Sequence, residues 1–373
     1  MTKRILFSVY GYGLGHATRC HAIINLLKKR RVSMRLTASD NAYDYFKSKG
    51  YTPKRIRSVA IGSTNTSFSW LNTLFANIDL PFNLINDYYA FKKICSNYSP
   101  NVVVSDTEPI SLVYASVNRV PSVFISNILP ILSEYDKLPV KVKNPKTDSQ
   151  LAVITALVNN VLKNCRRVIS PTFSEPDPNN KVDNVGLIIR SKPEELPKDS
   201  ALKKKIKSSD YCLVSFGGAK ITSDYYNTML PVLKKIKKRF IVSTNGAVDK
   251  ITTVKNLVLF PFINNYLEYL KLSDSVICLS GHSTISECLA YKKPVFTIPV
   301  QNHLEQLTNA SIIKRRGFGE SFFISNSIKP ESIQKRINEF IKMSDDYKTN
   351  IDRAALNIDG QTAAAKSILS VRS

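Results

Sequence analysis

The 373 residues include only four histidines, and one of them, His16, closes the glycine turn Gly11-Tyr-Gly13-Leu-Gly15-His16-Ala-Thr-Arg19. The turn follows an apolar run, Ile5-Leu6-Phe7-Ser8-Val9, that reads as a strand, and it opens a helical stretch. Glycines there, Gly13 and Gly15 among them, let a ligand approach the backbone at a helix start. Open α/β sheets gather ligands at the carboxyl ends of their strands, so His16 is a candidate general base, with a turn or cap histidine as the other reading. Asp106 ends a second strand-like run, Asn101-Val-Val-Val-Ser-Asp106-Thr-Glu108-Pro109. From that end it can reach the same cleft, hold one imidazole nitrogen and stabilise the imidazolium formed when His16 takes a proton. Asp106 as a plain helix cap stays open, and Glu108 is the reserve partner. His21 reads as structural. A dinucleotide fingerprint would need glycine where His16 stands, and Asp40 falls a little far along for a ribose partner.

The second half repeats the device. Tyr211-Cys-Leu-Val-Ser-Phe-Gly217-Gly218-Ala is again a strand and a glycine turn, whose N–H groups can cradle phosphate. Phe262 and Ile263 follow another strand. Leu279-Ser-Gly281-His282-Ser283-Thr284-Ile-Ser-Glu287 is a turn feeding a helix, where the dipole and unpaired N–H groups favour a diphosphate. Glu287, one turn in, can accept two ribose hydroxyls. The segment 299–310 carries Glu305 and Gln306, polar groups suited to reading sugar hydroxyls. Each feature alone could be a capped, solvent-facing helix; their recurrence in order, each behind its own strand, argues for one ligand site.

Short strands must alternate with helices to position these residues. The runs Arg4–Val9, Ser33–Thr37, Asn101–Ser105 and Ser122–Ile125, with a helix over Arg19–Lys29, predict a parallel sheet in an α/β unit. A second unit follows, with strands at Tyr211–Ser215, Phe240–Ser243, Leu257–Leu259, Ser275–Cys278 and Val295–Ile298 and helices over Ser223–Lys237 and Ser283–Leu289. At roughly 150 residues per domain the length suits two. The proline- and charge-rich stretch Gly186–Ser200 is the expected hinge, giving an N-terminal domain over 1–187 and a C-terminal domain over 188–373. Helices over Glu331–Met343 and Thr349–Leu369 are expected to cross back onto the first domain.

With 43% hydrophobic and 22% charged residues the chain is globular, and no apolar stretch reaches the roughly 20 residues of a membrane span. Lys3 and Arg4 before an apolar run imitate a signal peptide, but the run is too short. Six cysteines without metal spacing fit free buried thiols in a reducing cytoplasm, and no metal site is expected. The net charge of +24 implies an anionic partner. Residues 1–190 hold 25 basic against 12 acidic side chains (+13) and the rest 28 against 17 (+11), so no basic tail emerges. The runs Lys28–Arg31, Lys203–Lys205 and Lys234–Arg239 fall near predicted helix ends, where cations complement the dipole. Beside the aromatic-apolar segment Phe68-Ser-Trp70-Leu71 through Phe75 and Leu80-Pro81-Phe82, such a surface would also suit an anionic membrane.

The constellation resembles the nucleotide-sugar glycosyltransferases built from two Rossmann-like domains facing a cleft (GT-B), in the branch of the peptidoglycan N-acetylglucosaminyltransferase and its uncharacterised archaeal and bacterial relatives. The likeness spans nearly the whole chain. Gly11–Arg19, Ser105–Pro109 and above all Gly281–Ala310 carry it, the last through Ser286-Glu287, Lys293-Pro294, Glu305-Gln306 and Asn309-Ala310. The resemblance implies an acceptor in the first domain and a donor in the second. There Phe262 and Ile263 would flank the base, Gly218, Ser283 and Thr284 meet the diphosphate, Glu287 hold the ribose, and Glu305 with Gln306 read the sugar. It further implies His16 as base with Asp106 behind it, inversion at the anomeric carbon, and no metal or other cofactor beyond the nucleotide-sugar co-substrate.

Two positions depart from the small-molecule branch of the fold: Leu279 stands in place of a histidine, and His282 in place of an aromatic. Glu305-Gln306 replaces the glutamine pair of the peptidoglycan enzyme. The expected activity is transfer of a sugar from a nucleoside-diphosphate donor, UDP being the expected nucleotide, to a hydroxyl on a lipid-linked or membrane-bound acceptor. It would take place in the cytoplasm, peripherally on the inner face of the membrane, with nucleic acid not the expected partner. A nucleotide-sugar 2-epimerase of the same fold and a non-catalytic nucleotide-sugar binding protein are the alternatives.

Overall fold

The computed structural model describes residues 2–11, 13–57, 80–197, 210–217, 222–324 and 330–372. The aromatic segment around Trp70, the Lys203–Lys205 run and Gly218 lie outside these residues, as do the side chains of Leu80, Pro81 and Phe82.

Two seven-stranded sheets carry the chain. The first contains β1 (Lys3–Val9), β2 (Val32–Ala38), β3 (Lys54–Arg55), β4 (Val102–Asp106), β5 (Ser122–Ile125), β6 (Arg167–Pro171) and β7 (Val182–Gly186), in the order β3-β2-β1-β4-β5-β6-β7. Every pairing in it is parallel. All five residues of β4 are buried, as a strand covered on both faces requires. Its helices are α1 (Gly15–Lys28), α2 (Asp40–Ser48), α3 (Leu80–Ser96), α4 (Pro109–Val117), α5 (Leu129–Glu134) and α6 (Pro145–Asn164). The last is set by a capping box, in which Asn144 and Thr147 exchange bonds around a first-position Pro145.

The second sheet contains β8 (Cys212–Ser215), β9 (Phe240–Ser243), β10 (Thr252–Val254), β11 (Leu257–Phe260), β12 (Ser275–Cys278), β13 (Val295–Thr297) and β14 (Gly319–Ser321), ordered β10-β11-β9-β8-β12-β13-β14. Among the described residues only β10 runs antiparallel, as a hairpin on the sheet edge. Its helices are α7 (Thr222–Leu233), α8 (Tyr266–Leu272), α9 (His282–Ala290), α10 (Leu304–Arg315), α11 (Pro330–Lys342), α12 (Ser344–Arg353) and α13 (Gly360–Ser370).

The single helix expected over Thr349–Leu369 is in fact α12 and α13, broken at 354–359. There the chain returns to the first sheet: the Leu187 amide donates to Asn357 O at 2.8 Å and the Gly360 amide to Leu187 O at 3.0 Å. Ala355 takes a positive φ of 45° in this crossing. Beyond it Ala364, Ala365 and Ile368 complete the core formed by β1, β4 and α1. Lys3 Nζ bonds the carbonyls of Leu369 and Val371, both at 2.6 Å, as a cation at a helix C-terminus should. The helix expected over Ser223–Lys237 stops at Leu233, after the internal Pro231, and hands over to 3₁₀-type turns.

Strand order reverses between β1 and β4 in the first sheet and between β8 and β12 in the second. Crevices open at such switch points. Asp106 ends β4, and the turns that lead to His16, Gly217 and His282 leave β1, β8 and β12.

Candidate active site

Val9 and Asp106 are register partners at the ends of β1 and β4, so the turn after β1 must lie beside the Asp106 side chain. His16, in the first turn of α1, places Nδ1 2.7 Å from Asp106 Oδ1. The imidazole is 20% exposed and the carboxylate wholly buried, so one end of the pair faces solvent. Arg19, one turn further on the same helix face, forks onto the carboxylate, with Nε 2.6 Å from Oδ2 and Nη2 2.6 Å from Oδ1. The Cys20 thiol donates to Oδ2 at 2.9 Å. Burial pushes the Asp106 carboxyl up, but the charges and hydrogen bonds of Arg19 and His16 outweigh it and hold it well below the usual carboxylate range. Asp106 is therefore not the cap of the next helix. That cap is Glu108, whose oxygens accept from the amides of Ile110 and Ser111 at 2.8 Å and from Ser8 Oγ at 3.0 Å. The reserve role expected for Glu108 is corrected accordingly: its acceptor capacity is taken up by α4. His21 meets Tyr45 OH at 3.0 Å among the rings of Phe46 and Tyr51, a packing role.

Across the cleft, α9 starts at Gly281 with no side-chain cap, which leaves its first N–H groups to an outside partner. Ser283 and Thr284 in that first turn are half-buried. The two uncapped helix starts touch: Ser283 Oγ donates to Gly15 O at 3.3 Å, and a Cβ on Gly15 would sit 2.9 Å from that Oγ. Gly217, after β8, holds a φ of 79° that favours glycine. Phe262 is 60% exposed after β11, free to stack on a planar ring, whereas the Ile263 side chain is buried in the second domain's core.

His282 turns inward. Its ring stacks on Phe173 with centroids 4.9 Å apart, and its Nε2 is buried without a hydrogen-bond partner among the described residues. Burial, then the charge of Arg19, pushes its pKa down to about 3. What it offers a ligand at this helix start is its backbone amide rather than a charged ring.

Glu287, nearly buried, has both oxygens held by Arg190, Nε to Oε1 at 2.6 Å and Nη2 to Oε2 at 2.7 Å. Glu305 accepts from Asn127 Nδ2 at 2.8 Å, and Asn127 Oδ1 accepts from Arg19 Nη1 at 2.7 Å. Burial pushes the Glu305 carboxyl up, but His303, Asn127, His16 and His282 bring it below its usual value. Gln306 Oε1 accepts the Val300 amide at 3.1 Å, and Asn309 Nδ2 binds Ser280 O at 2.9 Å, tying α10 to the turn before α9. A second seam joins the domains beside this site, where Leu304 packs with Ile131, Tyr135 and Leu138 and Arg315 pairs with Glu134.

Three contributors went unread in the sequence. Arg19 follows His16 by three residues, so helical spacing already puts both on one face. Asn127 stands just past the carboxyl end of β5, a position the strand-end rule would have flagged. Arg190, in the linker, carries no local signal.

Residues 3–342 match the family described as Glycosyl transferase family 1. An uncharacterized glycosyltransferase of Methanopyrus kandleri is 28% identical over 78% of this chain and 81% of its own length. The UDP-N-acetylglucosamine–N-acetylmuramyl-(pentapeptide) pyrophosphoryl-undecaprenol N-acetylglucosamine transferase of Geobacillus thermodenitrificans is 24% identical over 83% of this chain and 82% of its own. Among solved structures, a UDP-glucosyltransferase from Polygonum tinctorium superposes with a TM-score of 0.71 at 12% identity, covering 100% of this chain and 99% of the other. MurG of Acinetobacter baumannii does so at 0.64 and 11% over 99% and 100%. The fold is the two-domain GT-B architecture, and the match over most of its length makes the chain a member of glycosyl transferase family 1, an enzyme that transfers sugar.

Proposed function

We propose that this transferase moves a sugar from a nucleoside-diphosphate donor, UDP being the expected nucleotide, to a hydroxyl of a lipid-linked acceptor, with inversion at the anomeric carbon. The observation that carries the reading is the meeting of two strand-end sites: the His16–Asp106 pair on one sheet and the uncapped start of α9 on the other, in contact through Gly15 and Ser283. With Nδ1 engaged by Asp106, Nε2 is the atom that takes the acceptor proton. The acceptor oxygen then attacks the anomeric carbon as the bond to the diphosphate breaks, and the leaving charge is met by the helix start. Glu287 binds the ribose, Phe262 the base, and Glu305 with Gln306 the sugar. No metal or cofactor is needed in this scheme.

UDP and a lipid acceptor are supported by the Geobacillus relative, whose name specifies both. A peripheral place on the cytoplasmic face agrees with the charge of +24 and with six free, buried cysteines. Among the described residues no helix is long and apolar enough to cross a membrane.

The test is a panel of UDP-, GDP- and dTDP-sugars, followed by thermal shift and slow donor hydrolysis in the wild type and in Glu287→Ala. One donor should stabilise the wild type and fail to stabilise the variant. If no donor stabilises the wild type, the donor reading falls.

A further inference from the structure

The His16–Asp106 pair has a third member that the expected chemistry does not use. Arg19 is 4% exposed and Asp106 not at all, so little water screens their charges. The guanidinium takes one N–H to each carboxylate oxygen, and its Nη2 also lies 2.9 Å from His16 Nδ1. Its remaining arm is held from the donor side through Asn127 and Glu305.

We propose that Arg19 is the positioning residue of the pair: it pins Asp106 by both oxygens and offsets part of the charge that Asp106 would otherwise exert on His16. The proposal rests on the reading of His16 as the base. A lone buried carboxylate against Nδ1 favours the imidazolium, and a ring already protonated cannot accept the acceptor's proton. A carboxylate shared with a guanidinium still fixes the ring's orientation and tautomer, while the nearby cation opposes protonation before the acceptor arrives. The other groups facing His16 are the edge of the Tyr10 ring, with centroids 5.4 Å apart, and the Glu305 carboxylate on α10. The Cys20 thiol acts only on Asp106, and burial and Asp106 keep it protonated.

The test follows the His16 imidazole by nitrogen-15 NMR in the full-length protein. The chain has four histidines, and the signal is assigned by its loss in His16→Ala. The wild type, Arg19→Gln, Asp106→Asn and the double variant are titrated. Removing the cation in Arg19→Gln should raise the His16 midpoint. Asp106→Asn should lower it, with the double variant in between. Arg19→Lys keeps the charge and should hold the midpoint while slowing transfer, because the two-armed grip is gone.

An uncompensated carboxylate can prevent Arg19→Gln from folding. In that case Asp106→Asn against the double variant measures the same charge, and the midpoint should rise when Arg19 is removed. An unchanged midpoint in either comparison would overturn the proposal and leave Arg19 a structural ion pair. No donor or acceptor enters the titration, so it stands apart from the donor panel, and the role of His16 as base is tested separately by the transfer rate of His16→Ala.

Discussion

Arg190 grips Glu287 by both carboxylate oxygens, at 2.6 and 2.7 Å, on the acid expected to bind the donor ribose. A ribose bound there must share the carboxylate with the guanidinium, so the two ligands of Glu287 are linked. Hydrogen bonds to a charged group contribute roughly 1.5–3 kcal/mol each. Glu287→Ala should therefore raise the donor Kd about 100-fold, read by calorimetry. Arg190→Ala should weaken the donor about tenfold if the fork holds Glu287 in its receiving orientation. Tighter donor binding in that variant would instead make Arg190 a competitor of the ribose.

His16→Ala separates chemistry from binding. General-base removal slows proton-transfer steps about 10²- to 10⁴-fold. Transfer measured with the stabilising donor should fall by that range, while donor Kd stays near the wild-type value, because the described donor-side contacts of Glu287 and α9 do not pass through the imidazole. Equal loss of both would mean that His16 is structural.

Strand ends were the most legible part of the sequence, and physics explains why. Buried parallel strands such as Val102–Asp106 are continuous β-branched runs, so the ends of β4, β9 and β12 fall within a residue of where the pattern puts them. β1 and β4 are neighbours at the switch point of the first sheet, with Val9 beside Asp106, which is why His16 and Asp106 meet. Side-chain partnerships across the cleft are different. Asn127 lies 178 residues from Glu305 and Arg190 lies 97 from Glu287, so no local period encodes either contact. The break between α12 and α13 is imposed by the return of the chain to Leu187, and its local signal is Gly360: a Cβ there would sit 2.5 Å from Leu187 O, so only glycine lets the two backbones meet.

Membrane attachment predicts a salt-dependent equilibrium. The basic runs Lys28–Arg31 and Lys234–Arg239 lie at the ends of α1 and α7, and each lysine or arginine near an anionic surface contributes about 1 kcal/mol, screened within a Debye length. The protein should sediment with phosphatidylserine vesicles in low salt, be released at about 0.5 M salt, and ignore neutral vesicles. Absence of binding at low salt would remove the membrane proposal and leave the sugar transfer untouched.

The buried His282 sets the direction of the acid response. Its folded pKa is pushed down to about 3 by burial and then by Arg19, against an unfolded value of 6.5. The folded ring stays neutral while the unfolded one takes up a proton, so the stability it supports is present above about pH 6.5 and is lost as pH falls toward 3, at about 1.4 kcal/mol per pH unit. Burial lowers His303 and His21 as well, so they add slope of the same sign. Asp106 contributes only at lower pH, since its depressed carboxyl matters below the unfolded carboxylate value of about 3.9. Urea unfolding at pH 7 and pH 5 should therefore show a fall in stability in the wild type. His282→Gln should reduce that fall by about 2 kcal/mol, the contribution of one histidine over the interval from 6.5 to 5. An identical fall in the variant would mean that the folded protein takes up the proton on His282 without opening.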